Sequence, residues 1–303
     1  MKLKILKSKK SILLLPLLPV AAFGIFLFCF NTCVSRSITR AEASREYKPG
    51  RVYEKFAPVK KDGKTPALLL FHGFGGSPYD FKPLLSELKN RGVAYHAPLM
   101  PGHGTTPRDL KDVTHTDLMK TALTKFDHLE KEYTRVAVAG FSMGGTIALD
   151  IAAQRNPEAL ILFAPYIDIT KKWYYFGRPE TWSRRLFKIL PYVKKVRIGN
   201  INDPRGRKIY DSYNHLPVKL VPELEKLSDE VQNNIEEIDC DILWFHSTGD
   251  IASDYRSAQN FFDRIPSTDK RFVKYTRSNH IILYDYDSQD AIKKTISFLE
   301  ERK

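Results

Sequence analysis

From residue 67 to residue 301 the chain alternates short runs of apolar and β-branched residues with longer stretches that carry apolar residues at helical spacing. Few folds satisfy that pattern. Ala67–Phe71, Val93–Ala97, Val136–Ala139, Leu160–Phe163, Ile242–Phe245 and Phe272–Tyr275 are predicted strands, short and without a polar face. Strands of this kind are buried on both sides, as in a parallel sheet sandwiched between helices. The covering helices are predicted over 79–90, 116–133, 143–155, 254–263 and 289–301, with Leu118, Ala122, Leu123, Phe126 and Leu129 illustrating the spacing. The expected fold class is therefore α/β, a mostly parallel central sheet flanked by helices. The alternation lapses from Tyr166 to Ile238, a stretch rich in aromatic and basic residues with no clear strand. An insertion of that length between two core strands is expected to fold over something.

Gly140-Phe141-Ser142-Met143-Gly144 stands directly between a predicted strand and a predicted helix. In that context G-x-S-x-G is a nucleophile elbow, whose glycines permit a sharp turn that exposes the serine hydroxyl at the end of the sheet. Acyl transfer also needs donors for the oxyanion that develops on the carbonyl. His72-Gly73-Phe74-Gly75-Gly76-Ser77 follows the Ala67–Phe71 strand, and it lacks the glycine and lysine spacing of a phosphate-binding loop. The Phe74 and Met143 N–H groups are the expected oxyanion pair. His72 is expected to shape the loop rather than to act as a base.

The base should follow the final strand, in the chain order serine, acid, histidine. Of eight histidines only His280 meets that condition. His246, at the end of the Ile242–Phe245 strand, is expected to pack near the acid loop. Asp250 leaves that same strand in Thr248-Gly249-Asp250 and is the expected acid; Asp254 competes with it, although it also suits the cap of the following helix. No histidine pair with acidic or cysteine neighbours has metal-ligand spacing, so no metal is expected.

From about Pro66 onward the chain resembles an α/β-hydrolase, and within that superfamily it is similar to bacterial carboxylesterases and monoacylglycerol lipases. The resemblance is carried by His72-Gly-Phe-Gly-Gly76, Pro101-Gly-His-Gly104, Gly140-Phe-Ser-Met-Gly-Gly145, the Gly249-Asp250 to Asp254 loop and Ser278-Asn279-His280. It implies hydrolysis of carboxylic esters through an acyl-enzyme, without a cofactor. It also implies a helical cap, which would be the 166–238 insertion. Trp173, Tyr174, Tyr175, Phe176, Trp182 and Phe187 in that cap are candidates to line an acyl site, or else ordinary cap core. Thioesterase, lysophospholipase and acyltransferase activities would use the same triad. A membrane-tethered binding module is the non-enzymatic alternative, and the complete triad argues against it.

Ahead of this unit, five lysines (Lys2, Lys4, Lys7, Lys9, Lys10) precede a stretch from Ser11 to Ser35 with no charge. At about 1.5 Å per residue, such a helix is long enough to cross the hydrocarbon core of a membrane. An uncleaved anchor over residues 1–35 is expected, with 36–50 as a polar linker and 51–303 as the hydrolase unit. The lysines would remain in the cytoplasm and the hydrolase unit would lie outside it. A cleaved signal peptide, giving a secreted or periplasmic protein, is the competing reading, although its apolar region is normally shorter and ends at small residues. Of the formal charge of +13, the first ten residues contribute +5 and residues 171–208, with twelve bases against Glu180 and Asp203, contribute +10. The excess is thus local to tail and cap, which favours a membrane surface or acidic substrates over nucleic acid, for which no motif is present. The expected substrate partner is a small-molecule or lipid ester. Hydrophobic residues at 43% and charged residues at 27% exclude a disordered chain, and three cysteines exclude a disulfide scaffold.

Overall fold

Phe272–Tyr275, expected to be buried on both faces, is instead an edge strand with Lys274 exposed and only Tyr275 buried, because it ends the sheet and pairs on one side only. Ala67–Phe71, Val136–Ala139, Leu160–Phe163 and Ile242–Phe245 are covered on both faces in the computed structural model. It describes residues 17–44, 52, 54–170, 188–195 and 200–302. Seven strands form one sheet: β1 (Val59–Lys61), β2 (Lys64–Phe71), β3 (Val93–Ala97), β4 (Val136–Phe141), β5 (Ala159–Phe163), β8 (Asp241–Ser247) and β9 (Lys270–Tyr275). Their order is β1-β3-β2-β4-β5-β8-β9, with β1 antiparallel to β3 and every other neighbouring pair parallel.

Period-two alternation sends successive residues of each strand to opposite layers. Leu69, Val138, Leu162 and Trp244 meet α3 (His115–Glu132), α4 (Met143–Arg155), α6 (Val221–Asn233) and α7 (Tyr255–Arg264). Leu70, Ala139, Ile161 and Phe245 meet α2 (Lys82–Asn90) and α8 (Ser288–Glu300) on the other face. In α3, Leu118, Ala122, Phe126 and Leu129 are buried, as their spacing predicts. That helix starts at a capping box, in which Thr114 accepts from the Asp117 N–H at 3.2 Å and Asp117 accepts from the Thr114 N–H at 3.0 Å.

Register aligns Phe71 with Gly140, Phe141 with Phe163, and Phe163 with Phe245. The strands therefore end together, and the loops after β2, β4, β5, β8 and β9 gather at one edge. The chain runs from β2 outward to β3 and then returns to β4 on the other side of β2, so the loops after β2 and β4 diverge at a topological switch point, where open α/β sheets bind ligands.

The insertion differs from its sequence expectation in two ways. It contains a two-stranded antiparallel ribbon, β6 (Tyr192–Lys194) with β7 (His215–Pro217), whose strands are too short to produce a readable alternation. Its final segment is core rather than cap, because Leu224, Leu227 and Val231 of α6 line one helix face and join the sheet layer with Ile235 and Ile238. A short helix α5 (Pro204–Ile209) precedes β7. The aromatic residues Trp173, Tyr174, Tyr175, Phe176, Trp182 and Phe187 lie outside the described residues, as do the five N-terminal lysines.

Helix α1 (Leu17–Ser44) includes Ala22–Arg40, which is long and apolar enough by length and composition to cross a membrane. Phe23, Ile25, Phe26 and Phe28 are exposed along it. The helix continues nine residues beyond Ser35, through the stretch expected to be a linker. The reason is local: residues 36–44 contain no glycine or proline, which come only at Pro49 and Gly50, and the helix places Val34, Ile38 and Glu42 four residues apart on one face. Val34 and Ile38 are buried, Glu42 pairs with Arg108, the Thr39 hydroxyl accepts from Arg108 at 3.1 Å, and the Asn31 amide donates to the Ile189 carbonyl at 2.6 Å. The C-terminal half of α1 is thereby docked beside β6 of the insertion.

Candidate active site

Ser142 follows β4 with φ 53° and ψ −118°, a region that a non-glycine residue occupies at a cost of about 1–3 kcal/mol. The surrounding backbone holds it there. Its N–H donates to the Phe163 carbonyl at 3.0 Å, and its carbonyl accepts from Gly145, Thr146 and Tyr166. A Cβ on Gly140 would strike the Gly144 carbonyl, and one on Gly144 would strike the Phe71 carbonyl, so both motif glycines are required by close approach.

Three predicted residues meet at this edge of the sheet. His280 Nε2 lies 3.0 Å from Ser142 Oγ, and His280 Nδ1 lies 2.7 Å from Asp250 Oδ2. The second carboxylate oxygen of Asp250 accepts the Ala252 and Ser253 N–H groups at 2.8 and 2.9 Å. Burial pushes the Asp250 carboxyl up, but the His280 charge and hydrogen bond, with His246 and the Ala252 N–H, bring it below the ordinary carboxylate value. Asp254 is placed elsewhere: it caps α7 by accepting the Ser257 N–H at 2.8 Å. A hydroxyl in reach of an imidazole whose other nitrogen faces a buried carboxylate is arranged for removal of the hydroxyl proton.

Met143 directly follows Ser142, and Phe74 follows Gly73, on which a Cβ would lie 3.4 Å from Ser142 Cβ. Met143 is the first residue of α4, so its N–H has no acceptor within the helix and lies at the positive end of the helix dipole. Among the described residues neither the Phe74 nor the Met143 N–H has a hydrogen-bond acceptor in the protein. Two such donors are what a developing oxyanion requires.

The loop carrying Phe74 is held by histidines used as neutral scaffolding. His72 Nε2 accepts the Met100 N–H at 3.0 Å, and His103 Nε2 accepts the Gly75 N–H at 3.1 Å. Burial pushes both imidazoles down, His103 to about 4 and His72 well below its ordinary value, which keeps these nitrogens as acceptors. His72 thus shapes the loop, as its position before the glycines implies. His246 packs beneath the acid loop, fully buried, with Nε2 at 3.5 Å from Asp250 and Nδ1 accepting from Trp244 at 3.4 Å.

Sequence reasoning missed the residues that hold the base loop and the donor loop. Asn279 Oδ1 accepts the His280 N–H at 2.9 Å and the Ile251 N–H at 3.2 Å, joining base loop to acid loop. The Asp285 carboxylate accepts the N–H groups of Asn279, Tyr286, Asn202 and Asp203, all at 2.7 to 2.8 Å, so the insertion is bonded directly to the base loop. Asp80 does the equivalent for the donor loop, accepting the Gly73 N–H at 3.0 Å. The one available signal was spacing, since Asn279 adjoins the base and Asp80 follows the glycines by four residues. Among the described residues no group of His, Cys, Asp and Glu is placed to hold a metal ion.

A family model described as serine aminopeptidase, S33, matches residues 64–287. The chain is 25% identical over 243 residues to a thermostable monoacylglycerol lipase of Bacillus sp. (strain H-257), covering 80% of this chain and 93% of that one. It is 24% identical over 247 residues to a carboxylesterase of Bacillus subtilis (strain 168), covering 80% and 96%. Among solved structures, a metagenome-derived lipolytic enzyme matches with a TM-score of 0.75 at 20% identity, covering 83% of this chain and all of that one.

Proposed function

The chain belongs to the serine aminopeptidase S33 family and has the α/β-hydrolase fold, and on that footing we propose that it hydrolyses carboxylic esters with Ser142 as nucleophile, His280 as general base and Asp250 as the acid. The observation that carries this reading is the continuous run from Ser142 Oγ through His280 to a fully buried Asp250 carboxylate, at 3.0 and 2.7 Å. His280 takes the serine proton as Oγ attacks the ester carbonyl. Asp250 holds the imidazole in the required tautomer and stabilises its charged form without itself being protonated. The Phe74 and Met143 N–H groups receive the tetrahedral oxyanion, and one such donor is worth about 10²–10³ in rate. The alcohol leaves with the proton held by His280, and water repeats the sequence on the acyl-enzyme.

The relatives named monoacylglycerol lipase and carboxylesterase support a monoacylglycerol or another short- to medium-chain ester as the substrate. A series of p-nitrophenyl esters from acetate to laurate, with monoacylglycerols, a lysophospholipid and an aminoacyl p-nitroanilide alongside, tests this. Turnover of esters and monoacylglycerols without the anilide is expected; preference for the anilide would make the protein a peptidase.

In the same reading, residues 1–35 form an uncleaved membrane anchor, 36–50 join it to the catalytic unit of 51–303, and that unit lies outside the cytoplasm. The apolar helix and the lysines preceding it support this orientation. Protease added to intact cells should then degrade the catalytic unit, and complete protection would reverse the topology.

A further inference from the structure

We propose that Asp80 and Tyr210 are a positioning pair through which the insertion sets the orientation of the Phe74 N–H. The inference rests on the ester-hydrolase reading above, in which that N–H receives the oxyanion.

Asp80 lies in the short turn Pro78–Phe81 after the donor loop and is 2% exposed. A carboxyl buried this deeply is tolerated only with hydrogen bonds to both oxygens. Oδ2 accepts the Gly73 N–H at 3.0 Å, and Oδ1 accepts the Tyr210 O–H at 2.9 Å. Tyr210 comes from the insertion, directly after α5, and is itself buried. One carboxylate therefore bridges the insertion and the residue preceding the oxyanion donor.

The bridge bears on Phe74 through peptide geometry. The Gly73 carbonyl and the Phe74 N–H belong to one planar trans peptide and point in opposite directions, so fixing one fixes the other. The Gly76 N–H donates to that carbonyl at 2.9 Å, and His72 Nδ1 lies 3.0 Å from it. Asp80 fixes the other end of the same residue. The space beside Gly73 is closed by Phe141 and by Ser142 Cβ, so a shift of Gly73 would be felt at the nucleophile. The insertion grips the loop a second time three residues after Tyr210, where the Tyr213 N–H donates to the Gly75 carbonyl at 2.9 Å. Behind this contact the Tyr213 hydroxyl accepts the Thr105 N–H at 2.8 Å. Alignment of an oxyanion donor is a property of the transition state, so the pair should act on kcat rather than on ground-state binding.

The test uses Asp80→Ala, Asp80→Asn and Tyr210→Phe in the full chain, assayed with p-nitrophenyl butyrate and with an alkyl trifluoromethyl ketone that forms a tetrahedral adduct on serine. Asp80→Ala should lower kcat tenfold or more with KM within about threefold, and raise the ketone Ki by the factor that kcat/KM falls. Asp80→Asn should recover to within about threefold of wild type, because its amide oxygen accepts from Gly73 and its NH2 donates to the tyrosine oxygen. Tyr210→Phe, which removes one hydroxyl and leaves the ring, should lower kcat about three- to tenfold with the same rise in Ki. Unchanged kcat and Ki in Tyr210→Phe overturns the proposal even if Asp80→Ala fails to fold. A fall in kcat with the ketone Ki unmoved also overturns it and leaves Asp80 a purely structural residue. Wild-type enzyme that resists the ketone overturns the ester-hydrolase reading and the pair together, whereas inhibited wild type with unchanged variants overturns the pair alone.

Discussion

His72 and His103 meet edge to face, with ring centroids 4.7 Å apart, behind the loop that carries Phe74. Each uses Nε2 to accept a backbone N–H, so protonating either ring replaces an acceptor with a donor aimed at a donor. The unfolded chain titrates its histidines near 6.5, whereas burial holds His103 near 4 and His72 well below its ordinary value. The unfolded state therefore binds more protons across that interval, and stability falls as pH drops from about 6.5 toward 4. Asp80 opposes this, because burial raises it to about 6 and the folded state takes up its proton first, but one carboxyl does not offset two imidazoles. Thermal melts from pH 7.5 to 4.5 should show a falling midpoint, with a shallower fall in His103→Gln. A midpoint that is flat or rises toward pH 4.5 contradicts the neutral-histidine scaffold.

Asp285 gathers four backbone N–H groups from two segments, and truncating it strands them all, the buried ones of Asn279 and Asp203 at about 1–3 kcal/mol each. Asp285→Ala should lower stability by several kcal/mol in urea denaturation. It should also lower kcat, because the base loop loses its fixed register against Asp250. Asp285→Asn should retain more of both. A variant as stable and active as wild type would remove the link between insertion and base loop.

The docked half of α1 gives a separate prediction. Ile38 is 1% exposed in a helix that lies beside the Tyr192–Lys194 strand, so Ile38→Asp buries an uncompensated charge where that helix meets the catalytic unit. Hydrogen exchange of the amides around Tyr192–Lys194 should accelerate in the detergent-solubilised variant while that of β4 and β5 is unchanged. Equal protection of the ribbon in both proteins would mean that the helix does not dock there.

How much was legible follows from how far each residue's partners lie along the chain. Ser142 and the six predicted strands were readable because motif and periodicity are local, and the register of β2, β4 and β5 then places the serine at the edge where the loops converge. Asp250 and Asp254 are four residues apart in one loop, and only the three-dimensional turn separates the residue facing His280 from the residue capping α7. Asp80 bridges Gly73 and Tyr210, 7 and 130 residues away, and Asp285 reaches Asn202 and Asp203, 83 and 82 residues away, relationships that composition and spacing do not encode. The division of the insertion was hidden for a similar reason. Its apolar residues at 224, 227 and 231 suit a cap helix as well as a core helix until the sheet is present to cover. The continuation of α1 past Ser35 was masked by polarity, since the two residues that dock it, Val34 and Ile38, are a minority of their segment.

The measurement that bears most directly on the assignment is Ser142→Ala, assayed for p-nitrophenyl butyrate hydrolysis and for labelling by a fluorophosphonate probe, with a thermal melt to establish folding. Ser142→Ala should give a wild-type-like melt, turnover lower by about 10⁴-fold or more, and no labelling, because the attacking oxygen is gone while the donors and His280 remain. Folded Ser142→Ala that still turns over the ester within tenfold of wild type would contradict the serine mechanism outright.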